Sequence, residues 1–221
     1  MNRYLGQGQF SLVPHPGRLF TPGVVILLVG IVGGWALSVL AGPGVTDLLA
    51  LRASDLLHGR PWQVLTYWLV DGSATSVVLN SMAVLLVGSA VERQWKTRSL
   101  LTCWLVTSTV TGLIWTLVVL ICGRNYQGMG AAAGVFGLLA ALGLLHRGKR
   151  LLFPPMDAAV AAWMLIGIGV VLSLSNPISL IWVLGAAVAY IYIRIVWSIQ
   201  RISIPGRGHS DHRPGRFVDL D

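Results

Sequence analysis

Six stretches of this sequence are apolar over about the length one helix needs to cross a bilayer core, roughly 20 residues at 1.5 Å each. They cover approximately 21–41, 75–91, 99–122, 129–145, 156–174 and 178–198. A chain in hydrocarbon must pair its backbone polar groups internally, so only helices and closed barrels qualify. The runs are continuously apolar rather than alternating, which argues against barrel strands. The expected fold is an all-α integral membrane protein with six transmembrane helices. The balance of 55% hydrophobic and 11% charged residues, with a mean hydropathy of +0.73, is not that of a water-soluble domain.

The net charge of +8 raises the question of nucleic acid, but the cations follow membrane topology instead of forming one stripe. Arg3 and Arg18 precede the first run, Glu92, Arg93, Lys96 and Arg98 join the second to the third, and Arg147, Lys149 and Arg150 follow the fourth. Segments on the other side are poor in cations, with Asp47, Asp55 and Asp71 against Arg52 and Arg60, and then Arg124 alone. The positive-inside rule therefore puts both termini in the cytoplasm. The expected organisation is a cytoplasmic tail over 1–20, a membrane domain over 21–198 and a basic cytoplasmic tail over 199–221. The first run starts late and has no small-residue cleavage pattern after it, so it is expected to remain as a membrane helix.

Between the first two runs, residues 42–74 form an unusually long connection with two amphipathic stretches, 47–57 and 62–70, which suits the membrane interface. Trp62, Tyr67 and Trp68 fit the headgroup region, as an aromatic belt or as a contact for a partner. Cys103 and Cys122 sit at opposite ends of one expected helix, about 28 Å apart, and cannot pair with each other. His209 and His212 in the polar tail lack a third ligand, so no metal is expected, and no other cofactor is indicated.

Three motifs are more specific. The second run reads NSMAVLLVGSAVE from Asn80 to Glu92, preceded by PWQVLTYWLV over 61–70. The fourth opens GAAAGVFGLLAA at Gly130, and the sixth contains WVLGAAVAYIYIR from Trp182 to Arg194. Together these resemble the rhomboid family of intramembrane serine proteases, in which an Asn is followed twelve positions later by a Glu, a Gly-x-Ser-Gly motif opens the fourth helix and a His-x-Gly-Gly segment lies in the sixth. The upstream segment is similar to that family's Trp-Arg loop, with Gln63 where the Arg would be.

The resemblance implies a rhomboid-like bundle, and it places the family's catalytic serine at Ala132, its histidine at Trp182 and an oxyanion-stabilising histidine at Ser76. Alanine supplies no nucleophile and tryptophan no base, both of which acyl transfer by serine needs. None of His15, His58, His146, His209 and His212 lies in an apolar run, and Lys149 and Asp157 lie at the cytoplasmic ends, so neither a substitute base nor an acid is expected at the depth of the site. The Trp182 indole is expected to fill it. Asn80 remains as a polar group that must find partners in the membrane, from neighbouring backbone or from a ligand.

The small residues Gly130, Gly134, Gly137, Gly185 and Ala189 suit close helix packing. The expected function is that of a non-catalytic pseudoprotease binding other transmembrane proteins as adaptor, chaperone or subunit of a membrane assembly, with Trp62, Asn80, Gly130, Gly134 and Gly185 as candidate binding or structural residues. The alternative is an intramembrane protease seen as an inactivated Ser-to-Ala variant. A channel is disfavoured, because the runs carry essentially no ionisable group before Arg194. The lipid bilayer is an expected partner and nucleic acid is not, and the expected location is a bacterial cytoplasmic membrane.

Overall fold

The computed structural model describes residues 19–123, 127–146, 157–175 and 180–202. The expectations for the two tails up to 18 and beyond 202, including His209 and His212, and for Arg124, Arg147, Lys149 and Arg150, lie outside the described residues.

Helix α1 (Pro22–Ala41) starts on a proline, whose missing N–H is no loss in a first turn. The side chain of Thr21 does not cap it. The cap comes from far along the chain: the Glu92 carboxylate accepts the N–H groups of Gly23 at 2.8 Å and Val24 at 3.0 Å, together with the hydroxyls of Thr21 and, at 2.6 Å, Thr97. A negative charge on the positive end of a helix dipole satisfies donors that would otherwise be orphaned in an apolar setting.

The long connection folds into α2 (Pro43–Leu49), β1 (Leu51–Arg52), α3 (Ala53–Leu57), α4 (Gln63–Thr66) and a 3-10 turn (Tyr67–Leu69). Gln63 is fully buried and ties these pieces together. Its amide accepts from the Arg52 N–H at 3.1 Å and donates to the Asp47 carbonyl at 3.2 Å and to the Asp55 carboxylate at 3.1 Å. That last bond, ahead of the nearby Arg60 and Arg52, holds the Asp55 carboxyl below its ordinary range despite the opposing effect of desolvation. Strand β1 pairs antiparallel with β2 (Gln127–Gly128), Leu51 opposite Gly128 and Arg52 opposite Gln127. This short ladder is a departure from an all-α fold, and it forms where extended backbone from two connections meets and pairs its own polar groups.

Helix α5 (Ala74–Ala83), capped by Ser73, continues through a π-helical turn (Val84–Gly88) into α6 (Ser89–Ile121). Within α6, Lys96 takes φ 71° and ψ 157°, a backbone state costing a non-glycine residue about 1–3 kcal/mol. Glu92 before the break and Leu100 after it both lie against Gly23, whereas Asn80 meets Asp71 and Gly112 faces Tyr67. The chain thus reverses at Lys96, and its two arms run antiparallel.

Helices α7 (Ala132–Leu145), α8 (Ala158–Ser175) and α9 (Leu180–Ile202) complete the described elements. Helix α7 is the centre: it is buried almost throughout and packed by α6, α8 and α9. Small residues allow this. A Cβ on Gly134 would come within 2.7 Å of the Trp104 ring, and one on Gly137 within 2.7 Å of the Thr107 methyl. Outward-facing apolar side chains such as Val29 on α1, Leu79 on α5 and Ile168 on α8 remain exposed, as a lipid-facing surface requires.

Among the described residues, three helices are long and apolar enough to cross a membrane: Pro22–Ala41, the continuous 74–121 segment folded at Lys96, and Ile181–Ser198. The helices Ala132–Leu145 and Ala158–Val171 are apolar but shorter. Against the six spans expected, the second and third runs join in one helix broken at Lys96, and the fourth and fifth give the two shorter helices, of which α7 is buried by its neighbours.

Candidate functional site

The turn between β2 and α7 and the start of α5 converge at one end of the bundle. Gly130 there has φ +103°, open to glycine and strained for other residues, and its N–H donates to the Tyr67 carbonyl at 3.2 Å. The Asp71 carboxylate accepts from the Asn80 amide at 2.9 Å. The Gly72 N–H, the Ser76 hydroxyl and the Ala131 N–H lie near enough to favour its charged form. A Cβ on Gly130 would lie 3.3 Å from Asp71 Oδ2, so glycine also leaves room for the acid.

Below this polar cluster is a cavity of about 350 Å³. Asp71, Ser76 and Asn80 are at its polar end, Ala132 opens its floor, and Leu79, Ala83, Val135, Phe136, Ile181 and Trp182 make it apolar. The Trp182 indole stacks on Phe136 with ring centroids 6.0 Å apart and planes 25° from parallel, and so walls the cavity without filling it as expected from sequence. Phe136 in turn lies against Gly169 of α8.

Ser76, Asn80, Gly130, Ala132 and Trp182, distant in sequence, are therefore brought together. Gly134 and Gly185 serve packing instead, Gly134 against Trp104 and Gly185 against the Ala133 carbonyl. Trp62 stands apart in the interfacial connection, half exposed, its indole N–H donating to the Leu48 carbonyl at 3.1 Å. Asp71 corrects the expectation that no acid reaches the site. A count of external charges reads it as one negative charge, but the turn before Ser73 folds it onto Asn80, nine residues on. His146, read as a loop residue, is fully buried at the end of α7.

The Asn80 amide donates to the chain's own Asp71 carboxylate, with the Ser76 hydroxyl and the Ala131 N–H near it as further donors. Burial pushes the Asp71 carboxyl above its ordinary range, and the Asn80 bond, the largest opposing influence, does not outweigh it. A carboxyl raised on folding contributes stability that is fully present below the unfolded value of about 3.9 and is lost as pH rises through the folded value. Comparing the chain with Asp71→Asn, the stability difference should shift in favour of the native chain as pH falls from neutral towards that value. Melting curves of both proteins across this range check it; parallel pH dependences would show Asp71 to be unperturbed.

The chain lacks a nucleophile at Ala132, and among the described residues no group of three or more His, Cys, Asp or Glu side chains is placed to hold a metal. No match was found among curated proteins. The profile of a family described as eukaryotic integral membrane protein (DUF1751) matches residues 25–212. The expected bacterial cytoplasmic membrane is thereby corrected: charge bias orients helices in any membrane that follows the positive-inside rule and carries no information about the organism. With most of its length matched, the chain belongs to this eukaryotic integral membrane protein family.

Proposed function

We propose that this member of the eukaryotic integral membrane protein family is a rhomboid-like protein of six membrane segments, with both termini cytoplasmic, that binds other transmembrane proteins and does not cleave them. The observation that carries the reading is the cavity with Ala132 and Trp182 on its walls and Asp71 seated on the donors. The positions that the rhomboid resemblance gives to nucleophile and base offer neither function. What remains is a largely apolar recess between α5, α7 and α9, with α8 behind Phe136.

A partner helix would gain from such a surface mainly by close packing, because lipid tails are as apolar as its own side chains. The exposed Leu79 and Met82 on α5, and Met164 and Ile168 on α8, are the outward residues nearest this reading. The adaptor, chaperone and assembly-subunit roles share that contact. Photoreactive residues at Leu79 and Met164 in cell membranes should each capture the same membrane protein, while one at Ile26 on the outer face of α1 should capture lipid. Lipid alone at all three positions would remove the basis for a partner-binding surface.

A further inference from the structure

The opposite end of the bundle has a second cavity, of about 190 Å³, between the Lys96 turn and α9. Gln94, Lys96 and Ser99 present polar groups to it, Trp95 and Tyr192 flank it, and Ile193 and Val196 form an apolar wall. Lys96 is the anomaly. It is the one non-glycine residue among those described with a positive φ, and its side chain is exposed, so the strain is not offset by burying that side chain in the core. Glycine would make the same reversal at lower cost. A non-glycine residue holding this strained backbone at the rim of a cavity directs attention to its ammonium group.

The cation in the lining is Lys96, with Arg98 two residues on in the same turn; the Arg194 guanidinium of the facing helix lies over the Tyr190 ring, 6.0 Å from its centroid. The acid of the turn, Glu92, is directed into the bundle, where Thr21, Gly23, Val24 and Thr97 take up its oxygens. The cavity lining itself contains no carboxylate. An ammonium, a side-chain amide and a hydroxyl suit a phosphate, aromatic flanks suit the headgroup region, and an aliphatic wall suits the start of an acyl chain. A soluble phosphate would use only the polar half.

We propose that this cavity is a headgroup site for an anionic glycerophospholipid of the leaflet next to the basic turn, with the Lys96 ammonium on the phosphate and Gln94 and Ser99 on adjoining headgroup oxygens. This site is separate from the Asp71 cavity and does not depend on how that cavity is used.

The full chain in phosphatidylcholine nanodiscs, doped with a photoreactive phosphatidylserine, should be labelled in the peptides around 94–99 and 192–196. Lys96→Gln should lower that labelling about fivefold, the value of one cation near an anionic surface, and Lys96→Arg should retain it. Lys96→Gly separates charge from fold: it should melt no lower than the native chain yet lose labelling to the same extent. Unlabelled phosphatidylserine should compete and inorganic phosphate should not. Unchanged labelling in Lys96→Gly, equal labelling by a photoreactive phosphatidylcholine, or full competition by inorganic phosphate would each overturn the proposal.

Discussion

Replacing Glu92 with alanine should lower the stability of the chain in mild detergent by about 3 kcal/mol, since buried donors left without an acceptor each cost about 1–3 kcal/mol and such losses are not fully additive. The carboxylate serves the first turn of α1 through Gly23 and Val24, the residue before it through Thr21, and the chain reversal through Thr97. Thr21, at the cap position of α1, does not cap the helix with its own side chain. Glu92→Gln, which keeps an oxygen acceptor but loses the charge, should fall between. Equilibrium unfolding in mixed micelles measures both, and a loss under about 1 kcal/mol for Glu92→Ala would mean that the freed donors find other partners.

Gly185→Val should be comparably severe. A Cβ at Gly185 meets the backbone carbonyl of Ala133, which cannot rotate away as a side chain could. Helix α9 would have to move off α7, its most extensive neighbour, and overpacking of this kind costs about 1–3 kcal/mol or more. Gly167→Ala on α8 is the control: a Cβ there meets open space, and alanine is favoured over glycine in a helix by about 0.5–1 kcal/mol. Melting temperatures of the two variants should therefore move in opposite directions. If both fall alike, the α7–α9 contact is looser than backbone against side chain.

These two residues show what the sequence discloses and what it does not. The apolar runs and the small residues of α7 and α9 are legible because each follows from one segment's own composition, and the Asn80-to-Glu92 spacing because it resembles a family motif. The role of Glu92 as the cap of α1 is not, because its partners lie about seventy residues away. Asp71 escapes for the same reason: its donors come from the start of α5 and from Ala131, and only the folded connection brings them together. Gln63 reads as a lost arginine, yet as a buried amide it makes three bonds within the connection. Trp182 shows the opposite error, since its bulk suggested a plug, whereas its ring lies along Phe136 and leaves the cavity open.

On the reading proposed above, the recess beside α5 and α7 lacks the chemistry to cut what enters it. The most direct measurement is cleavage of a single-span substrate in proteoliposomes by Ala132→Ser, made alone and together with Trp182→His. A serine at 132 would still face an indole at 182 and a donor cluster already holding Asp71, so the single variant should leave the substrate intact. Cleavage by Ala132→Ser alone would show that a working base is present and would contradict the account.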